Sequence, residues 1–209
     1  MTFSSCLTDK DKAVVLDASV IINLLATGYA AEILQALTVN IFVTGNVVRE
    51  IEGGSANGRQ ESKFLNELIG SNLLQTKELA GLSLENFFGL VSGSTSDSLG
   101  DGEAATLAFA YCNEFSAAID EKKATRIAGE RFGVMKLVTT VDILSHEPVQ
   151  TVLGRKALAN ATFQALQVAR MQVRPHQVNW IAQLIGEDNL KVCVSLKKYT
   201  KLKLERQSP

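Results

Sequence analysis

An α/β fold on a mainly parallel sheet is what this sequence predicts, and three features carry the expectation. Ala13-Val-Val-Leu16 is a short apolar run rich in β-branched residues that ends at Asp17 and passes straight into helical spacing. The same step from apolar run to helical pattern recurs until about residue 145, and such alternation implies right-handed crossovers between parallel strands. The runs are also continuous rather than alternating, as strands are when helices cover both faces of a sheet.

Taken in order, residues 1–12 are polar and charged and read as a flexible lead-in. After the first strand at Ala13–Leu16, Val20, Ile21, Leu24, Leu25, Ile33, Leu34 and Leu37 recur at helical spacing, with Thr27-Gly28 as an interruption. Val39–Val43 is the second strand. Thr44-Gly45-Asn46 then supplies turn and capping residues for a short helix over Val47–Glu52, whose first turns contain Glu50. Residues 53–58 form a glycine-rich loop, Phe64, Leu65, Leu68 and Ile69 mark one face of a helix, and Leu73–Thr76 is a short third strand. Leu84, Phe87, Phe88 and Val91 share a stripe on a helix over Ser83–Val91. The Ser- and Gly-rich stretch Ser92–Gly100 is too short to link separate domains and reads as a mobile loop.

Asp101–Tyr111 is helical by its Ala- and Leu-rich pattern, with Glu103 in the first turn. Phe115–Ile119 is the fourth strand and ends at Asp120-Glu121. Lys122–Arg131 is the following helix, stopped by Gly133, and Val134–Val138 is the fifth strand before Thr139-Thr140. Beyond Pro148 the alternation ends: Val149–Met171 and Pro175–Ile185 look helical, and Lys191–Leu196 reads as one more strand. The chain thus divides into the lead-in, an α/β domain over residues 13–147, and a mostly helical C-terminal extension over 148–209 that closes in a basic tail from Lys197, for which a solvated end is preferred to an RNA contact.

With 209 residues, 46% of them hydrophobic, the chain can bury a substantial core. A net charge of -1 excludes a globally basic nucleic-acid binder but leaves room for a local basic rim. Cys6, Cys112 and Cys193 are odd in number and widely spaced, so neither a disulfide framework nor a zinc site is indicated. The first residues lack the pattern of a signal peptide, and Asp17, Asn23 and Glu32 interrupt the most hydrophobic stretch before it reaches spanning length. A cytoplasmic protein with no membrane segment is expected.

Four segments each place a carboxylate at a strand end or helix start: Asp17, Glu50, Glu103 and Asp120, with Asp101 and Glu121 as near neighbours. Helix dipoles and capping favour acids at such places without any function. Asp17 and Asp120 are harder to explain that way, because both follow apolar strands expected side by side at the centre of the sheet. Two ionised carboxylates about 4 Å apart repel by roughly 4 kcal/mol at an effective dielectric of 20, so a cluster of them must take up protons or a cation. The donors are all oxygens, and neither His146 nor His176 lies near them in sequence, which favours Mg2+ or Mn2+ over zinc.

The set VVLDASVIINLL, VVREIE, LGDGEAATLAFA and AAIDEKKATRIA, in this order and spacing, resembles the PIN-domain nucleases, in particular small prokaryotic PIN proteins of the toxin-like ribonuclease branch. The resemblance covers residues 13–145. It implies a PIN-like, five-stranded parallel sheet of order 3-2-1-4-5 flanked by helices, and Mg2+- or Mn2+-dependent hydrolysis of phosphodiester bonds, usually in RNA. Asp17, Glu50, Glu103 and Asp120 match the family's acidic quartet, and Ser19 matches a polar position near the metal. Two positions depart: Ala118 stands where a threonine or serine is frequent, and Ala105 where another acid commonly follows the G-E-A motif. Asp101 and Glu121 are the candidate replacements.

On that resemblance Asp17 and Asp120 would hold the metal directly, Glu103 would complete its shell, and Glu50 would act through water or on a second ion. Arg49, Lys122, Lys123 and Arg126 are candidates to steer the phosphate backbone, although exposed helix charges need no such role. A toxin with an antitoxin protein as partner and a free-standing RNA-processing enzyme are both open, as is a homodimer. The competing reading is a PIN-fold module that binds nucleic acid or protein without catalysis, since fold alone does not imply activity. A phospho-accepting receiver or phosphatase is disfavoured: Asp17-Ala-Ser19 lacks the second aspartate of a D-x-D motif, and no phosphate-binding Gly-Lys-Ser/Thr loop is present.

Overall fold

The strands Ala13–Leu16 (β1), Asn40–Thr44 (β2), Gln75–Lys77 (β3), Ser116–Ala118 (β4) and Leu137–Val138 (β5) form one parallel sheet in the order β3-β2-β1-β4-β5. The structure is a computed structural model and describes residues 3–55, 60–94, 96–197 and 199. In the sheet Val14 lies beside Ile41 on one side and Ser116 on the other, so β1 is central and its neighbours end at the same edge. All five strands point the same way, and every strand-to-helix turn that the sequence marks with an acid therefore opens on one side of the molecule.

Helices cover both faces: Ala18–Ala26 (α1), Ala30–Ala36 (α2), Gly45–Ser55 (α3), Glu61–Gly70 (α4), Leu82–Val91 (α5), Asp101–Cys112 (α6), Lys122–Phe132 (α7), Thr140–Leu144 (α8), Glu147–Gln167 (α9), Val178–Ile185 (α10) and Glu187–Val192 (α11). Because side chains alternate along a strand, Val14 and Leu16 enter the core shared with α1 to α4 and α8 to α11. Ala13 and Val15 enter a second core with α5, α6 and α7. The helices after residue 147 thus help to build one of the two layers: Leu158, Ala165, Leu166 and Ile181 pack in the same cluster as β1. The lead-in is also held at specific points, since Leu7 is buried in that cluster and the Ser5 hydroxyl and Cys6 N–H bond to Asp142.

The interruption at Thr27-Gly28 separates α1 from α2, with Gly28 at φ 75, a conformation glycine adopts without steric penalty. Gly154 at φ 67 kinks α9, a break that the helical pattern alone does not reveal. Three strands are shorter than expected, β4 keeping only Ser116–Ala118. Val134 is fully exposed and only Leu137–Val138 join the ladder, while the third strand begins at Gln75 because Leu74 turns into the core before it.

The strand expected over Lys191–Leu196 is not formed. Those residues complete α11 and a 3-10 turn over Val194–Leu196. Leu190, Cys193 and Leu196 are all buried, and their spacing of three is a helical period that the short apolar run disguised. The tail beyond Lys197, apart from Tyr199, and residues 56–59 of the glycine-rich loop lie outside the described residues. No single helix among the described residues is long and apolar enough to cross a membrane.

Candidate active site at the strand ends

Asp17 ends β1 and caps α1. Its backbone is extended (φ -78, ψ 161), and its Oδ2 accepts from the Ser19 N–H at 3.2 Å and the Ser19 hydroxyl at 2.7 Å. Such a side chain satisfies an otherwise orphaned amide of the first helical turn, and that local need is met by one oxygen. The other, Oδ1, is buried with no hydrogen-bond partner among the described residues. An unsatisfied acceptor in a residue only 3% exposed is costly, and it marks the point where this site asks for a ligand.

Asp120 follows β4, beside Asp17, whose N–H donates to the Ala118 carbonyl at 3.1 Å. Asp120 is 2% exposed, and both its carboxylate oxygens are hydrogen-bonded. Oδ1 accepts from the Thr140 N–H at 2.9 Å; Oδ2 accepts from the Thr140 hydroxyl at 2.5 Å and the Asn23 amide at 2.7 Å. Asn23 also donates to the Thr140 hydroxyl oxygen at 3.2 Å. Ala118 thus brings no hydroxyl to the site, but Thr140 brings one from the adjacent strand end. Sequence reading missed Asn23 and Thr140 as site residues. The available signals were a polar residue inside the apolar stripe of α1, and a hydroxyl directly after β5.

Glu103 lies in the first turn of α6, where its Oε2 accepts from the Gly100 N–H at 3.3 Å and closes the helix start. Glu50 comes from α3, and its carboxylate rests against the Gly102 backbone, which acts to lower its pKa. A Cβ at position 102 would collide with Glu50 Oε2. The glycine of the G-E-A motif thus has a physical reason: it lets the acid of one helix reach the backbone of another.

Electrostatically the four acids behave as one group. Burial pushes Glu103 up to about 7, with the charges of Asp17, Glu121 and Glu50 adding to it. Burial likewise pushes Asp120 up to about 6, against the hydrogen bonds from Thr140 and Asn23, with the charge of Asp17 acting in the same upward direction. Asp17 is raised by burial despite its Ser19 bonds, and Glu50 by partial burial and by the charges of Asp17 and Asp101. None of the four forms an ion pair among the described residues.

The flanking residues divide. Glu121 caps the start of α7, and its charge acts on Asp17 and Glu103; Asp101 is exposed at the start of α6 and acts on Glu50. Lys122 is exposed on the first turn of α7, and Lys123 is half-buried beside it. Arg126 is already committed: it binds both oxygens of Glu130 at 2.8 and 2.9 Å and the Ser96 carbonyl at 2.9 Å, and lies 3.6 Å from Asp97. Arg49 is exposed, bonded to Asn46 at 3.1 Å and 4.0 Å from Glu78. His146 lies against Asp9 and His176 against Phe3, so neither joins the acids.

An all-oxygen donor set with a bare, buried Asp17 Oδ1 fits a hard divalent cation. No three of the acids are close enough to form a ready-made cage among the described residues. Mg2+ does not require one, since it keeps several waters and is commonly held by one or two carboxylates.

No curated protein and no solved structure matches the chain significantly. A family model described as a PIN domain, DUF3368, matches residues 13–187, from the start of β1 into α11. That match covers most of the chain and spans both the parallel sheet and all four acids, and on it the chain belongs to the PIN-domain family.

Proposed function

We propose that this protein is a Mg2+- or Mn2+-dependent nuclease that hydrolyses phosphodiester bonds in RNA. The observation that supports it most is Asp17: buried, bonded through one oxygen only, and facing carboxylates whose charges raise one another. A bound ion there supplies Lewis acidity and an ionised water. The protein's own residues do the rest. Asp17 offers Oδ1, its orientation fixed by Ser19. Asp120 offers the remaining lone pair of Oδ1, its other directions taken by Thr140 and Asn23. Glu103, which burial raises to about 7, would complete the shell in its ionised form, and Glu50, resting against Gly102, would add its charge from α3. Lys122 and Lys123, directly after the Asp120-Glu121 turn, draw the phosphate backbone toward the acids.

The test pairs an activity with a binding measurement. Mn2+-dependent cleavage of RNA by the wild type, lost in Asp17→Asn, is expected. Mn2+ at 100 times its dissociation constant adds about 2.7 kcal/mol to stability, so the melting temperature rises with the ion, and rises less in Asp17→Asn. Equal shifts in both proteins would remove the site assignment.

One observation favours the second reading, a binding module without catalysis: both oxygens of Asp120 are already hydrogen-bonded. RNA binding with neither cleavage nor a Mn2+-induced rise in melting temperature decides for it. Between a toxin with an antitoxin partner and an RNA-processing enzyme, the gene's neighbours discriminate, a small adjacent gene with a DNA-binding motif marking the toxin.

A further inference from the structure

Residues 171–177 cross from α9 to α10 in extended form at first. Arg174 has φ -81 and ψ 150 and precedes Pro175, which disfavours helix at the residue before it. Alternation then sorts the side chains. Met171 and Val173 are buried in the core, 1% and 5% exposed, while Gln172 and Arg174 reach the turn that carries Asp120. Gln172 donates to Glu121 Oε2 at 2.8 Å. One Arg174 Nη2 donates to the Asp120 carbonyl at 3.2 Å and to the Thr125 hydroxyl oxygen at 2.5 Å. Thr125 in turn donates to the Glu121 carbonyl at 2.8 Å. Gln177, 1% exposed, accepts from the Arg174 N–H at 3.0 Å and donates to the Thr139 hydroxyl oxygen at 2.8 Å. Thr139 adjoins Thr140, which holds both oxygens of the Asp120 carboxylate.

We propose that this crossing is a strap that positions Asp120, with Arg174 as its central positioning residue, an inference that rests on the nuclease reading of the site. Two separate paths lead from it to the same carboxylate: through the Asp120 carbonyl, and through Gln177, Thr139 and Thr140. Such a strap is needed because Asp120 is buried against Asp17, and the turn relieves their repulsion by moving outward unless something holds it. A guanidinium serves better than a shorter donor, since it binds carbonyl and hydroxyl together. The strap lies outside the four acidic motifs, so the C-terminal segment belongs to the site and is not an appendage to it.

The test reads Mn2+ affinity, not cleavage, by the loss of the free-ion electron paramagnetic resonance signal on titrating the full-length folded protein. Removing a partner that orients a metal ligand weakens binding about 10- to 100-fold. Arg174→Met is expected to fall in that range, and Arg174→Lys, which keeps charge and one donor, to lose about 3-fold. A merely structural loss lowers the melting temperature of the metal-free protein without this graded change in affinity. Wild-type affinity in Arg174→Met, alongside weakened binding in Asp17→Asn, would overturn the strap and leave the metal site standing. Wild-type affinity in Asp17→Asn overturns the metal-site reading itself. If Arg174→Met does not fold, Arg174→Lys and Thr125→Val carry the test, and wild-type affinity in both overturns the proposal.

Discussion

The two ends of the same strands treat the same kind of residue in opposite ways. At the N-terminal ends of β1, β4 and β5, Asp11 is half-buried, and Lys136 reaches it at 2.6 Å and Ser116 at 2.5 Å, with the Thr8 N–H and hydroxyl at 2.9 Å. Burial pushes its pKa up, yet these bonds together hold it below the ordinary value. At the C-terminal ends, Asp17, Glu50, Glu103 and Asp120 receive hydrogen bonds but no cation, and all four are raised. One edge is electrostatically complete. The other is stable only with protons or a cation from outside, and that asymmetry separates an architectural acid from a ligand-binding one.

The widest gap is expected in activity. Asp17→Asn should lower Mn2+-dependent RNA cleavage by at least about 100-fold, more than the loss of an indirect orienting group, while Asp11→Asn leaves cleavage intact; single-turnover assays on folded variants read this. Comparable losses in the two variants would erase the distinction between the edges.

Next in size is pH dependence without metal. A carboxyl whose folded pKa is raised favours its neutral form in the native state, so its contribution is complete below the unfolded pKa near 4 and is lost as pH rises through the folded value. For Asp120, raised from 3.8 to about 6, this is on the order of 3 kcal/mol. Melting temperature in chelator should therefore fall between pH 4.5 and 8, Glu103 extending the decline toward the upper end. Asp11 adds no slope in that window, because its lowered pKa leaves it ionised and its stabilisation fully present throughout. Asp120→Asn should flatten the profile, and Mn2+ should reverse the decline at pH 8; a profile unchanged in the variant assigns the titration to other groups.

Lys136→Met probes the complete edge. It leaves Asp11, whose side chain is 6% exposed, without its cation. Full burial of such a pair makes its rupture cost 3–5 kcal/mol, and the exposure of Lys136 reduces that to about 1–2 kcal/mol, read by urea unfolding with cleavage unaffected. The smallest effect belongs to the rim. Lys122→Ala should reduce the salt dependence of RNA binding by about one ion, whereas Arg126→Ala, its charge already spent on Glu130 and Asp97, should leave it unchanged. The reverse order would show that Arg126 leaves its partners for RNA.

Much of this molecule is legible residue by residue, because it depends on neighbours in sequence. An apolar β-branched run that ends in an acid and continues at helical spacing puts that acid at a strand's C-terminal end, and so the pattern places Asp17 and Asp120 where the fold has them, while Ser19 comes only from the family resemblance. Local pattern also located Glu103, through the helix start it closes, and the break at Gly28. It failed where two periods coincide: Leu190, Cys193 and Leu196 are helical in spacing but short and apolar enough to pass for a strand. It showed only part of how Arg126 is occupied, since Glu130 lies four residues on in α7 while Ser96 lies on another element.

What tertiary structure alone decided is which acids are satisfied. Asn23 is 97 residues from Asp120, and Arg174 is 54; no spacing rule connects them, and each hydrogen bond exists only because parallel strands bring distant turns to one edge. The acidity of a carboxyl follows from burial and from charges within a few ångströms, both properties of packing. Asp11 and Asp17 are therefore alike as letters in the chain and opposite in the folded protein, one closed by Lys136 and the other left with an open oxygen.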